Sequence, residues 1–410
     1  MKAKILLSIC LAVYGWCPLW SQAGFSISDG QKQIDIPFEF YNNFIILTVQ
    51  FNRMLPLKFI YDTGAENTIL SKREVSDLLN VRYERTFTVR GSDLKTMLTA
   101  YLARQIRLEI MDKVVAPSED ILVLQEDYFR FEEYAGVNIH GILAGNIFSK
   151  YIVKINYQKK LISLYQREGF KVKDASYVPV PIEIYRNKIY LFGKLQMFPD
   201  SIAEIKLMMD TGAGLSMMLL SNTHPMIQPP STAIPTNIGM GLGGYLEGFT
   251  GRVYNLSFET LSQKNVVTYF QSLDSSVNLD YLNGRNGLLG NMVLSRFHII
   301  IDYQNAKMWM KPGKGYDKIF DYDRSGISLI ASGLHLNTFT VQSVMQNSPA
   351  EAAGLQKGDE IIRVGISPAA FLSLVDIQRS FQKAPGKKIK IVIKRNGEKM
   401  RKVLILRNLI

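Results

Sequence analysis

Phe59-Ile60-Tyr61-Asp62-Thr63-Gly64-Ala65 and Leu207-Met208-Met209-Asp210-Thr211-Gly212-Ala213 repeat one pattern, an apolar run that delivers Asp-Thr-Gly into a turn. The two aspartates lie 148 residues apart (210 − 62), about the length of one small domain. Two identical acidic turns on two repeated units supply what a paired-carboxylate site needs. One carboxyl cannot both activate a water and protonate a leaving group, whereas two that share a proton can. The repeat continues downstream in the same order. His140-Gly141-Ile142-Leu143-Ala144-Gly145-Asn146 recurs, one residue shorter, as Asn286-Gly287-Leu288-Leu289-Gly290-Asn291. Ile155-Asn156-Tyr157-Gln158 recurs as Ile301-Asp302-Tyr303-Gln304, and Arg104 with Leu108 as Arg252 with Leu256. A chance Asp-Thr-Gly is common; a pair carrying three further matched segments is not.

Each residue of the turn has a physical task. Asp62 and Asp210 are the candidate carboxylates. Gly64 and Gly212 lack a Cβ, so two such loops can approach closely. Thr63 and Thr211 carry hydroxyls able to brace the opposite loop. Carboxylates about 3 Å apart cannot both ionise easily, so the pair titrates in two split steps that belong to the pair. Such chemistry requires no metal and no cofactor.

Composition places the chain among ordinary globular proteins. Of its 410 residues 47% are hydrophobic and 20% charged, and the length exceeds a single typical core. The apolar runs are rich in β-branched and aromatic residues, which favours strands. Lys2 and Lys4 precede an apolar stretch from Ile5 to Leu19, followed by Ser21-Gln22-Ala23. This is the layout of a signal peptide over 1–23, with a mature chain from about Gly24. The only cysteines, Cys10 and Cys17, fall inside it, and Trp16 makes Cys17 a poor lipoprotein site. Export to the periplasm or medium is expected, with neither a structural disulfide nor a thiol nucleophile. No later stretch is long and apolar enough to span a bilayer. Two of the +12 net charges belong to Lys2 and Lys4. Others, at Lys387, Lys388, Lys390, Lys394 and Arg395, interleave with Ile389, Ile391 and Ile393. They read as a solvated strand face and not as a nucleic-acid surface.

Polar joints at 171–176 and 311–315 divide the mature chain into 24–170, 171–315 and 322–410. Within each repeat the pattern is mostly strand, with hairpin-like breaks such as Asn52-Arg53. Short helices are expected at 71–79 and 118–125.

Across both repeats the chain resembles the retropepsin- and pepsin-like aspartyl proteases. The two Asp-Thr-Gly-Ala turns and the segments ending Ile142-Leu143-Ala144-Gly145 and Leu288-Leu289-Gly290 carry the likeness. The resemblance implies a mainly β protein in which two lobes flank a peptide cleft covered by a flap. It also implies that the apolar-Gly segments pass behind the catalytic turns. With both turns on one chain, a monomer suffices for the site. The flap candidate is the glycine-rich stretch holding Gly241, Gly244 and Tyr245, equally readable as a plain surface hairpin. The family places its flap in the first lobe, where Val89-Arg90-Gly91-Ser92-Asp93 is less glycine-rich.

Ser348-Pro349-Ala350, Ala353-Gly354-Leu355 and Gly358-Asp359-Glu360-Ile361 make the last unit resemble a small α+β PDZ domain. That resemblance implies a peptide groove at Gly326, Ile327, Ser328 and Leu329, walled by the helix expected at 374–382. Ser325-Gly326-Ile327 departs from the usual Gly-Leu-Gly-Phe of the end-carboxylate loop.

A serine protease is disfavoured, because the four histidines accompany no Gly-x-Ser-x-Gly. No His-Glu-x-x-His or cysteine cluster suggests a catalytic metal. The reading is an exported aspartic endopeptidase acting on peptide or protein substrates. Its rival is a catalytically silent protease scaffold that binds or senses peptides.

Overall fold

The computed structural model describes residues 24–91, 96–128, 130–241, 244–273 and 279–410. The expected signal peptide, with Cys10 and Cys17, lies outside them. Among the described residues no helix is long and apolar enough to cross a membrane.

The protein is mainly β, and the described residues form three sheets of nine, thirteen and six strands. The strands Phe44–Phe51 and Leu55–Asp62 pair antiparallel through a turn in which Asn52 and Arg53 take φ of 49° and 60°. Two consecutive positive φ values match the right-handed twist of a tight hairpin. In the second repeat the first strand of this hairpin is Lys188–Gln196, which pairs with Ala203–Met209 and, on its other side, with Val178–Tyr185 through a turn at Arg186 and Asn187. Ala203–Met209 leads to Asp210.

The thirteen-stranded sheet crosses from one repeat to the other. Gln33–Pro37, Leu161–Tyr165 and Ile152–Asn156 from the first continue into Phe297–Asp302 and Lys307–Pro312 of the second. Val153 opposes Ile301 and Ile155 opposes Ile299, all fully buried. One hydrophobic core therefore runs under both Asp turns. Gln33–Pro37, near the start of the described chain, is a paired strand within that sheet.

The helix expected at 118–125 does not form. Val114–Leu124 is a strand, paired with Met97–Ile110 and with Ile69–Leu70. Ser118, Glu119 and Asp120 resemble a helix start, but Ile121, Val123 and Leu124 bury their side chains by completing a sheet. The other two helices form at Arg73–Leu78 and Leu374–Phe381.

Residues 327–405 form the six-stranded sheet, whose core is separate from the main one. In Lys388–Arg395 the isoleucines point inward while Lys388, Lys390 and Lys394 are exposed, as a solvated strand face requires.

Candidate active site

Each Asp turn is held by a parallel strand at its side. Leu55–Asp62 pairs with Gly141–Ala144, placing Ala144 opposite Asp62. Ala203–Met209 pairs with Gly287–Leu289, placing Leu289 opposite Met209. The apolar-Gly segments are thus wedged between an Asp strand and a further antiparallel strand, at Ile69–Leu70 and Met217–Ser221. Glycine is needed at the wedge, because a Cβ on Gly141 would collide with the Ile69 carbonyl and one on Gly287 with the Met218 carbonyl.

His140 belongs to this scaffolding. Lys58 N–H donates to its Nδ1 at 3.2 Å, just as Lys206 N–H donates to Asn286 Oδ1 at 2.9 Å in the second repeat. The imidazole therefore serves as a neutral acceptor. Burial, with the Lys72 charge nearby, holds its pKa below the usual value.

The two turns meet through their threonines. Thr63 Oγ1 donates to the Met209 carbonyl at 2.8 Å and accepts from Thr211 N–H at 3.1 Å. Thr211 Oγ1 donates to the Tyr61 carbonyl at 2.7 Å and accepts from Thr63 N–H at 3.0 Å. Both threonines are essentially inaccessible to solvent. This lattice brings the carboxyls of Asp62 and Asp210 together, so that an oxygen of each lies 3.1 Å from where a Cβ on Gly64 would stand. Gly64 N–H donates to Asp62 Oδ1 at 2.6 Å. The glycines leave room for the pair: a Cβ on Gly64 would lie 3.0 Å from Asp210 Cγ. One on Gly212 would overlap the Asp62 carboxyl.

Burial raises both pKa values. For Asp62 it is opposed by the Gly64 N–H, the Asp210 hydrogen bond and Lys188. For Asp210 the charge on Asp62 adds to burial and pushes it well above the carboxylate range. Desolvation and mutual repulsion together favour a pair that holds one proton between its two carboxyls. Asp210 Oδ1 is buried and makes no hydrogen bond to the described residues.

Several residues at this site escaped the sequence reading. Tyr157, from the first repeat, donates to Asn291 Oδ1 at 2.7 Å, and Asn291 Nδ2 donates to the Thr211 carbonyl at 2.6 Å. Tyr303, from the second repeat, lies against Tyr61 behind the first turn. The repeated tyrosines were visible in sequence, but their exchange across the two halves was not. Lys188 pairs with Glu66 at 3.0 Å, again linking the halves. Arg285 lies close enough for its charge to favour ionised Asp210. Its Nη1 contacts Met208 Sδ at 2.8 Å, and its buried Nε has no partner among the described residues. Aligning His140-Gly141 with Asn286-Gly287 sets Arg285 where the first repeat has Ile139, and that register was the available signal.

Two hairpins stand beside these turns in sequence. Ile234–Gly241 pairs with Gly244–Phe258, so Gly241 opposes Gly244 and Met240 opposes Tyr245. Residues 242–243 at its tip lie outside the described residues. Tyr83–Arg90 pairs with Met97–Ile110 in the first repeat, and Ser92 and Asp93 also lie outside them. Among the described residues no group of three or more His, Cys, Asp or Glu side chains could hold a metal ion.

In the last unit, Gly326, Ile327, Ser328 and Leu329 run from a left-handed turn (φ 77° at Gly326) into the edge strand Ile327–Ser332. The helix Leu374–Phe381 is capped by Ser373 and Asp376, each side chain bonding the other's backbone N–H.

Comparison with known proteins assigns this last unit. Residues 340–395 match the PDZ domain family. The chain therefore carries a PDZ domain, a module that binds peptides. Among solved structures, the photosystem II D1 C-terminal processing protease is 22% identical over 21% of this chain and 23% of that one, with a TM-score of 0.20. Basic 7S globulin from soybean is 9% identical over 68% of this chain and 95% of that one, with a TM-score of 0.40. No curated protein matches the sequence.

Proposed function

We propose that the chain is an exported aspartic endopeptidase of the retropepsin/pepsin-like type, with Asp62 and Asp210 as its catalytic dyad. On this reading 24–170 and 171–315 are its two lobes, 322–410 is an appended PDZ unit, and 1–23 is removed on export. The observation that carries it is the buried reciprocal lattice of Thr63 and Thr211, which holds two half-buried carboxyls side by side. Two acids held against each other repel when both are charged, a cost that a purely structural role does not call for.

A pair that shares one proton suits hydrolysis, written here with that proton on Asp210. Charged Asp62 takes a proton from a water as its oxygen bonds to the peptide carbonyl carbon. Protonated Asp210 donates to the carbonyl oxygen, giving a neutral tetrahedral diol. Asp62 then delivers its proton to the amide nitrogen while Asp210 recovers one from the diol, and the C–N bond breaks. Gly64 and Gly212 let the loops close to this distance, and the threonines orient them. The hairpin carrying Gly241, Gly244 and Tyr245 is the proposed cover of the peptide.

The test is cleavage of a diverse peptide library by the mature chain from acidic to neutral pH, beside Asp62→Asn and Asp210→Asn. Loss of turnover in both variants supports the dyad, and survival in either overturns it. A folded protein without turnover at any pH supports the silent scaffold instead.

A further inference from the structure

The PDZ unit touches the rest of the chain in two places. Its connector is built into the second repeat: Phe320 and Tyr322 are buried in the main core, and Arg252 Nη2 donates to the Phe320 carbonyl at 3.1 Å. The chain end returns to the same spot, where Leu409 N–H donates to the Tyr322 hydroxyl at 2.8 Å. The second contact is with the first repeat. The short helix Phe131–Ala135 packs along Ile327–Ser332, the edge strand of the PDZ sheet. Gly136, which ends that helix with φ 69°, comes so close to Leu374 that a Cβ on it would lie 2.9 Å from Leu374 Cβ. Leu374 begins the helix Leu374–Phe381. Edge strand and helix are the two walls between which a PDZ domain receives a peptide. Residues 131–136 already meet both.

The loop at the end of the groove is also engaged from within. Ser325 and Gly326 N–H groups each donate to Asp323 Oδ1 at 2.8 Å, and Ile327 N–H donates to Ser325 Oγ at 3.2 Å. These are the backbone donors that a chain-terminal carboxylate would need. The Asp323 carboxylate holds two of them and the Ser325 hydroxyl the third.

We propose that this PDZ groove receives an internal segment and not a chain terminus, and that residues 131–136 fill it in cis. The PDZ unit then ties the first repeat to the second, because its connector belongs to one and its groove grips the other. The clamp leans on the candidate site. Asn42 Nδ2 donates to the Tyr134 carbonyl at 3.1 Å, and Asn43 Nδ2 donates to the carbonyl of Gly214, four residues beyond Asp210, at 3.0 Å. A peptide entering the groove must displace 131–136, which competes at the high effective concentration of a tethered ligand. Only the consequence for turnover rests on the dyad reading; the clamp itself does not.

Hydrogen exchange on the full mature chain tests the clamp without reference to activity. In the unmodified protein, amides of 131–136 and of Ile327–Ser332 should open together, with one dependence on low urea. The hairpin Lys388–Arg395/Glu398–Ile405 should open only with global unfolding. Gly136→Asn keeps a residue that tolerates positive φ but adds a side chain against Leu374. It should speed exchange in both segments about tenfold, the effect of roughly 1.4 kcal/mol, and leave the hairpin unchanged. A synthetic peptide of residues 130–137 with blocked ends should then restore protection of Ile327–Ser332. Independent opening of the two segments in the unmodified protein overturns the proposal even if the variant does not fold. So does faster exchange at 131–136 alone, or protection of Ile327–Ser332 by a peptide only when its C-terminal carboxylate is free.

Discussion

Replacing Thr63 by Val keeps the side-chain shape and deletes one hydroxyl from the lattice that joins the two Asp turns. That hydroxyl donates to the Met209 carbonyl at 2.8 Å and accepts from Thr211 N–H at 3.1 Å. Both partners lose a hydrogen bond in a place closed to water. A buried polar group left unsatisfied costs about 1–3 kcal/mol, so the substitution should destabilise the chain by about 2–5 kcal/mol. Thr63→Ser retains the hydroxyl and gives up a buried methyl, for about 1 kcal/mol. Thr211→Val removes the reciprocal pair to the Tyr61 carbonyl and Thr63 N–H, at 2.7 and 3.0 Å, with a similar cost. The double variant should cost less than the two singles together, by about 1 kcal/mol or more. Once one half of the lattice opens, water reaches the other. Urea unfolding followed by tryptophan fluorescence measures all four proteins. If Thr63→Val unfolds at the same urea concentration as Thr63→Ser, the lattice does not hold the turns together and the reasoning fails.

Three further outcomes are expected. Gly212→Ala sets a Cβ into the Asp62 carboxyl, so a folded variant should lose peptide turnover by at least about 100-fold, the lower range for removing acid–base catalysis; unchanged turnover would show that the carboxyls need not touch. Burial raises both acids, so between their unfolded and folded pKa values the native state binds more protons, and its stability falls as pH rises. Asp210→Asn should therefore unfold at higher urea than the parent at neutral pH, with the gain vanishing below the unfolded carboxyl pKa near 4. The positive charge of Arg285 holds Asp210 down, so Arg285→Gln should move the alkaline limb of the pH–rate profile to higher pH; an unmoved limb would place Arg285 outside the dyad's field.

Much of this was written locally. Asp-Thr-Gly after an apolar run is legible because strand propensity and the glycine turn act over a few residues, and the same holds for the Ser348-Pro349 helix start in the PDZ domain. The strands at Phe44–Phe51, Leu55–Asp62 and Ala203–Met209 form where β-branched and aromatic residues cluster. At 118–125 local reading failed. A polar start of the helix-cap kind was overruled by the pairing that Met97–Ile110 and Ile69–Leu70 offered.

The sequence by itself determined that two equivalent acidic turns exist, in what order their supporting segments follow, and that a PDZ domain comes last. Only the tertiary structure decided which groups meet across the halves. Thr63 with Thr211, Tyr157 with Asn291 and Lys188 with Glu66 are all contacts between residues far apart in the chain. So is the seating of 131–136 in the PDZ groove. Such contacts leave no local pattern, because they arise where two folded repeats present complementary surfaces, and no short window of sequence contains both partners.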